Sequence, residues 1–312
     1  MNNLYYVLTV AIWGSTWFAI RLQLNVVPTQ VSIAYRFGLA TLILFGWCLL
    51  RRVRLRYSWA DHRLLALLGL TLFSTNYALL YEAERHVISG EVAIAFSLLG
   101  VFNILNNRLL LGITANRQVV LGSLLGLLGI VLTFWRDLMS INAESQNLLG
   151  ILLTLGGTYS ASLGNLVWSR LQKRGLRVLP ANGFGMLYGT LALVLYCLLS
   201  GVRFTFDPSP AYIGSLLYLA LFGSVIAFGL YLTLVGNIGT DRAGYVSILI
   251  PIVALLFSIA FEGYQMNLLS FLGIACILVG NTVVLARNRK AASTKRDLIQ
   301  KSQKSSEHLT ER

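Results

Sequence analysis

The chain has 312 residues, 56% of them hydrophobic and 12% charged, and its mean hydropathy is +0.70. Soluble domains carry about 25% charged residues, so the composition excludes a soluble two-domain enzyme and indicates a protein surrounded mostly by lipid. Because a membrane helix needs about 20 apolar residues, the chain has room for roughly ten to twelve crossings. Lys plus Arg number 25 against 12 Asp plus Glu, which is typical of positively charged cytoplasmic loops, and we expect no nucleic-acid partner.

Apolar runs alternate with short polar or basic breaks and predict an all-α membrane protein of ten transmembrane helices. We place these helices at residues 4–20, 31–50, 64–81, 87–106, 118–135, 148–168, 181–200, 211–235, 243–261 and 269–286. Four prolines, Pro28, Pro180, Pro208 and Pro210, fall in connections or first turns, where a missing N–H is harmless. Their positions support these boundaries.

The distribution of basic residues predicts the orientation. They cluster after the second helix, after the sixth helix and in the tail 287–312, whereas the connections of opposite parity carry at most one each. Because positive charge collects on the cytoplasmic side, we expect both termini to be cytoplasmic. The basic tail has too little hydrophobicity to fold, and we expect it to be disordered or to lie on anionic membrane lipid.

The two halves of the chain, 1–140 and 141–286, resemble each other. Residues recur at a spacing of 150 or 151: Leu121, Gly122 and Gly129 match Leu272, Gly273 and Gly280, and Ser74, Leu80 and Tyr81 match Ser224, Leu230 and Tyr231. A unit of five helices ends on the opposite side of the membrane, so the second copy must be inverted. Inverted five-helix repeats are typical of secondary transporters, with the substrate site near the midplane.

The fifth proline, Pro251, falls in the middle of the predicted ninth helix, and its partner at spacing 151 is Gly100 in the fourth. Proline removes a backbone hydrogen bond within a helix, and glycine loosens the same position more gently. The matched positions predict a functional break or hinge in both helices. A simple packing kink is the alternative.

Short motifs occur in a characteristic order: Trp13-Gly14-Ser15-Thr16, Arg36-Phe37, Tyr77-Ala-Leu-Leu-Tyr81 with Ala83-Glu84, Ser89-Gly90, and the stretch from Pro251 to Glu262. With them the sequence, over about residues 5–286, resembles the EamA-type branch of the drug/metabolite transporter superfamily. The resemblance implies ten helices in two inverted repeats and secondary export of amino acids or related metabolites across the bacterial inner membrane. The chain departs from the family at Gly100, where proline is common, near Ile113, where glutamate is common, and at Glu91, where an apolar residue is usual.

Two ionisable residues are predicted to be embedded in helices. Arg36 and Glu91 both lie in helices that start at the outer face, about 6–8 Å deep at 1.5 Å per residue. We hypothesise that they interact, closing the outer vestibule or holding the charged ends of an amino acid. Alternatively, Arg36 reaches out to the headgroups and Glu91 caps its helix. If transport is coupled to protons, Glu91 is the candidate carrier.

Aromatic and amide side chains predict a substrate cavity. Trp13 and Trp17 are four residues apart, as are Tyr77 and Tyr81, so each pair shares a helical face. Aromatic walls with few polar groups suit a small amphipathic solute, although an interfacial aromatic belt is the alternative. The predicted cavity comprises Trp13, Trp17, Arg36, Asn76, Tyr77, Tyr81, Glu91, Asn165, Trp168, Tyr188 and Tyr231.

Catalytic chemistry is not indicated. The sequence has no Walker A loop, GxSxG or HExxH motif, and Cys48, Cys197 and Cys276 lack metal-ligand spacing. We therefore expect no catalytic residue, metal or cofactor. The alternatives to export of amino acids or related metabolites are efflux of hydrophobic drugs, a lipid-modifying enzyme or a receptor.

The glycines of the fifth and tenth helices predict close helix packing within one chain or a homodimer surface, so monomer and homodimer both stay open.

Overall fold

The computed structural model describes residues 2–112, 117–135, 146–238 and 246–283, and within these ranges it contains helices and no β-strand. The helices are α1 (Asn2–Arg21), α2 (Thr29–Leu50), α3 (Trp59–Ala83), α4 (Ser89–Phe96 continued by Leu99–Leu111), α5 (Arg117–Thr133), α6 (Gln146–Lys173), α7 (Val178–Leu199), α8 (Pro210–Leu217, Tyr218–Ile226 and Ala227–Ile238 in succession), α9 (Val246–Phe261) and α10 (Leu268–Val283). By length and composition, α2, α3, α4, α7 and α8 can cross a membrane, and α5, α9 and α10 carry shorter apolar stretches. The predicted tail, the repeat boundary at residue 140 and Ile113 lie outside the described residues.

The main core forms where α2, α3, α6 and α7 meet. Phe37, Phe73, Tyr81, Leu171 and Met186 are each at most 1% exposed there. α2 packs against α7 and α8, α1 packs against α8 and α9, and α4 packs against α6 and α9. These contacts bring α1, α2, α3 and α8 around one central region.

Two π-helical stretches occupy matching places in the halves of the chain. Residues Gly69–Thr75 of α3 and Tyr218–Ile226 of α8 adopt this wider helix, and their first residues are 149 positions apart (69 and 218). A π-turn is rare and often lies at a functional site. The spacing agrees with the sequence match of Ser74 to Ser224, so the two halves share a local backbone irregularity as well as residues.

Glycines let α5 and α10 approach until their backbones touch. A Cβ added at Gly129 would lie 2.5 Å from the carbonyl oxygen of Gly273, and one added at Gly280 would lie 2.5 Å from that of Gly122. Because Gly122 matches Gly273 and Gly129 matches Gly280, a twofold exchange of the helices converts one contact into the other. The pairing is antiparallel, and these glycines form a contact within one chain.

The predicted helix breaks have different outcomes. α4 is interrupted at Ser97 and Leu98, just before Gly100, whereas α9 is one helix from Val246 to Phe261 with Pro251 inside it. A Cβ at Gly100 would meet open space, so close packing does not require glycine there. The hinge role of Gly100 and Pro251 stays a prediction.

Candidate functional site

Arg36 is the buried centre of the site. It lies in the second turn of α2, is 2% exposed, and donates from Nε to Ser224 Oγ (3.2 Å) and from Nη1 to the Tyr81 hydroxyl (3.3 Å). Its guanidinium also lies 4.8 Å from the centre of the Tyr77 ring and 5.2 Å from that of Phe37. None of the ion pairs among the described residues includes Arg36. A positive charge is therefore buried among neutral hydroxyls and aromatic faces.

These contacts differ from the predicted ones. Arg36 bonds Tyr81 of α3 and Ser224 of α8 rather than Glu91, which lies half-buried in the first turn of α4. The alternative in which Arg36 reaches outward is wrong, because its side chain is enclosed. Equal depth along two helices did not mean that the side chains point toward each other.

A chain of hydrogen bonds extends from Arg36 to the end of α1. The Tyr81 hydroxyl donates to Gln23 Oε1 (3.1 Å), and Gln23 is 1% exposed. Gln23 Nε2 has no hydrogen-bond partner in the part of the chain that the structure describes. Since buried polar groups are normally satisfied, this amide suits water or a ligand.

Trp13 and Tyr231 line the region next to Arg36. Trp13 Nε1 donates to the carbonyl oxygen of Gly223 (3.1 Å), the residue before Ser224, and the Trp13 ring lies 5.3 Å from that of Tyr231. The structure thus brings together Trp13, Arg36, Tyr77, Tyr81 and Tyr231 of the predicted set. We call Trp13, Tyr77, Tyr81 and Tyr231 the aromatic shell; of their rings, that of Tyr77 lies against the Arg36 guanidinium.

Two further predicted residues lie on the flanks of this shell. Trp17 is buried against Phe96 of α4, with ring centres 5.4 Å apart. Asn76 is 2% exposed, and its Nδ2 donates back to the Leu72 carbonyl (3.2 Å), while its Oδ1 has no partner among the described residues. Both are buried residues of helices that carry the shell.

Tyr188 does not join this shell. Its hydroxyl shares a hydrogen bond with His62 Nδ1 (2.8 Å) in the first turns of α3. His62 precedes Tyr81 by 19 positions on the same helix, which is about 28 Å at 1.5 Å per residue. Tyr188 itself lies in the middle of α7 (Val178–Leu199), so its inclusion in one cavity with Arg36 stays a prediction.

Asn165 and Trp168 both lie on α6. Asn165 Nδ2 donates to Asn103 Oδ1 (3.4 Å), and Asn106 Nδ2 beside it donates to Ser162 Oγ (2.9 Å), which joins α4 to α6. Trp168 is partly buried against the main core. α4 continues past Asn106, where the sequence predicted its end, and stops at Gly112, whose positive φ of 67° suits a glycine helix cap.

Sequence reasoning gave no role to a polar cluster at the end of α9, which we call the Glu262 clamp. Glu262 is 6% exposed at its side chain and accepts hydrogen bonds from the Ser89 amide (3.3 Å), from Ser89 Oγ (2.6 Å) and from Ser258 Oγ. The Gly90 amide donates to Ser258 Oγ (2.8 Å). A carboxylate at a helix N-terminus is favourable, so the clamp ties the end of α9 to the start of α4.

Arg21 and Glu84 lie beside the clamp. Arg21 Nε is 3.7 Å from Glu262 Oε1, and Arg21 Nη1 donates to the backbone carbonyls of Glu84 and Val87. The Glu84 side chain is fully buried, and neither carboxyl oxygen has a partner in the described ranges. Burial, reinforced by the nearby Glu262 carboxylate, raises the pKa of Glu84 well above its ordinary value.

Among the residues that the structure describes, there is no group of three His, Cys, Asp or Glu side chains able to hold a metal ion. The polar groups of both clusters are instead suited to reversible binding and to helix–helix contact. Hydrogen bonds and one buried cation can select a solute by charge and shape without transforming it.

Comparisons with known proteins show the family of the chain. The sequence profile of the EamA-like transporter family matches residues 2–135 and again 148–286. The chain is 30% identical over 286 residues to the uncharacterized inner membrane transporter YedA of Escherichia coli K12, covering 88% of this chain and 87% of that protein. It is 24% identical over 288 residues to a probable amino-acid metabolite efflux pump of Escherichia coli K12, covering 88% and 91%. A solved crystal structure shares the fold with a TM-score of 0.66 at 18% identity, covering 93% of this chain and 98% of that one.

Proposed function

Because the chain belongs to the EamA-like transporter family, we propose that it exports amino acids or related small metabolites across the bacterial inner membrane by alternating access. The observation that carries this proposal is Arg36, a guanidinium that is 2% exposed and forms no ion pair among the described residues. A buried charge without a counterion costs several kcal/mol. A substrate carboxylate supplies that counterion and accepts two parallel hydrogen bonds from an arginine.

The neighbours of Arg36 suit an amino acid or a similar solute. Ser224 and Tyr81 hold the guanidinium in one orientation, so the entropy of ordering it is lost before the substrate arrives. Tyr77, Trp13 and Tyr231 provide aromatic surface for an apolar side chain. The unpartnered Gln23 amide is a further polar group near the substrate.

Alternating access requires two halves that can rock against each other. We propose ten crossings in two inverted repeats, 1–140 and 141–286, with both termini cytoplasmic. The twofold-related glycine contacts of α5 and α10, the matched π-helical stretches and the double match to the family support this arrangement. In the proposed orientation, the Glu262 clamp lies on the periplasmic side and is closed.

Efflux of hydrophobic compounds is the second candidate, and the packed rings of Trp13, Phe228 and Tyr231 favour it. A hydrophobic cation needs aromatic faces but is repelled by a buried arginine. The two functions therefore differ in their dependence on Arg36.

The test is counterflow into proteoliposomes of the purified protein, with labelled amino acids, a sugar and a hydrophobic cation as probes. We expect exchange of amino acids, loss of that exchange in Arg36→Gln, and normal exchange in Arg85→Gln, whose side chain is exposed. Exchange confined to the hydrophobic cation and unaffected by Arg36→Gln would favour drug efflux instead.

A further inference from the structure

The buried carboxyl of Glu84 takes no part in the hydrogen bonds around Arg36, and its surroundings suit a proton as the ligand. The side chain is 0% exposed, and both oxygens lack a hydrogen-bond partner within the described ranges. An ionised carboxylate in such a place costs several kcal/mol, whereas the neutral acid costs far less. The carboxyl is therefore expected to hold a proton when the structure closes around it.

The nearby cations are already engaged by other groups. From α1, Arg21 donates to the backbone carbonyls of Glu84 and Val87 and approaches Glu262. From α2, Arg36 bonds Ser224 and Tyr81. Neither guanidinium donates to the Glu84 carboxyl, although both charges act on it from a distance.

The remaining neighbours oppose ionisation or leave it unchanged. Glu262, at the end of α9, is a nearby negative charge and disfavours a second one. Three residues before Glu84, the Tyr81 hydroxyl interacts with it electrostatically. α6 brings Gly150, which has no charge, against His86 and Val87.

We propose that Glu84 is a proton-binding site whose occupancy is coupled to closure of the face that carries the Glu262 clamp. When this face is open and wet, the carboxylate is ionised; when α9 docks on α4, it takes one proton from hydronium and leaves one water molecule. Opening returns the proton to the water on the same side. This inference rests on the alternating-access function proposed above. It predicts that low pH on this side of the membrane favours the closed state.

The sign and size of the effect follow from linkage. Below the ordinary glutamate pKa of about 4.3, both the open and the closed state hold the proton, so pH does not change the ratio of their populations. Between that value and the raised pKa of the closed state, each pH unit shifts the population about tenfold toward the open state. Above the raised pKa, the population is constant again.

Thiol labelling measures this shift without a transported substrate. The protein in nanodiscs, with Cys48, Cys197 and Cys276 replaced by alanine, carries the reporter Ala83→Cys, because Ala83 is 0% exposed at the end of α3. A soluble maleimide is applied between about pH 5.5 and about pH 8.5, a window that starts above the ordinary pKa. Each rate is divided by the rate of the same reporter in Glu84→Gln, which removes the pH dependence that the thiol has without the Glu84 charge.

We expect this ratio to rise at least about tenfold with pH, and the matched variant Glu82→Gln to behave like the parent, since Glu82 is a partly exposed residue on the same turn. A ratio that does not change with pH in the parent would overturn the proposal. A Glu82→Gln variant that loses the pH dependence, as Glu84→Gln is expected to, would also overturn it. If Glu84→Gln does not fold, infrared titration of the parent decides: a carboxylic-acid carbonyl band that fades as labelling increases supports a protonated Glu84, and its absence contradicts it. Thiol labelling and infrared titration do not depend on transport, so failure of the transport assay alone does not contradict the proposal about Glu84.

Discussion

Removal of the charge on Glu262 is expected to loosen the start of α4. Its carboxylate accepts from the Ser89 amide, from Ser89 Oγ and from Ser258 Oγ, and it lies 3.7 Å from Arg21 Nε. Glu262→Gln preserves the shape of the side chain, but only one of its two terminal atoms can still accept: the bonds to the other position are lost, and those that remain are no longer charge-assisted. At about 1 kcal/mol for each bond, partly offset by relaxation, the clamp loses about 2–3 kcal/mol.

Hydrogen exchange at the Ser89 and Gly90 amides measures this loss directly, because those amides donate to Glu262 and to Ser258. We expect exchange to accelerate roughly 30- to 150-fold, since 1.4 kcal/mol corresponds to a factor of ten. The control is Glu82→Gln, which removes a partly exposed ion pair with Arg85 worth at most about 1 kcal/mol. Unchanged exchange at both amides in Glu262→Gln would refute the role of the carboxylate.

Three further variants test packing, pairing and capping. Gly273→Ala places a Cβ 2.6 Å from the Gly129 carbonyl oxygen and should lower the melting temperature of the detergent-solubilised protein, whereas Gly214→Ala meets open space and should not. The double exchange of Arg36→Glu with Glu91→Arg should restore no counterflow, because Arg36 bonds Tyr81 and Ser224; recovery would establish the pair. Ser58→Ala removes the hydroxyl that accepts from the Asp61 amide at the start of α3 and should cost about 1 kcal/mol by chemical denaturation, and an unchanged transition would show that this cap contributes nothing.

Helix positions were predictable because apolar runs set them, but helix ends depended on contacts that a sequence does not display. α4 was expected to end near Asn106, yet it continues to Leu111 and is capped by Gly112 in the left-handed region. α3 was expected to start at residue 64 but begins at Trp59, since Ser58 caps it. In both cases, the residue at the helix end is one that hydropathy does not score as a helix boundary.

The candidate site was partly predictable. The burial of Arg36 followed from its place inside an apolar run, but its partners depend on the direction in which the side chain leaves the helix. Glu84 lies one residue beyond α3, so its burial became apparent only from its packing with Arg21 and Glu262.

Competition in the counterflow assay tests the central claim most directly. An unlabelled amino acid and the same amino acid with its carboxyl group amidated are compared as competitors for exchange of the labelled amino acid. If Arg36 holds the substrate carboxylate, the acid competes at least about tenfold better than the amide, as expected for a charge-assisted pair worth about 1.5–3 kcal/mol. Equal competition by acid and amide in the unaltered protein would contradict a carboxylate-binding role for Arg36.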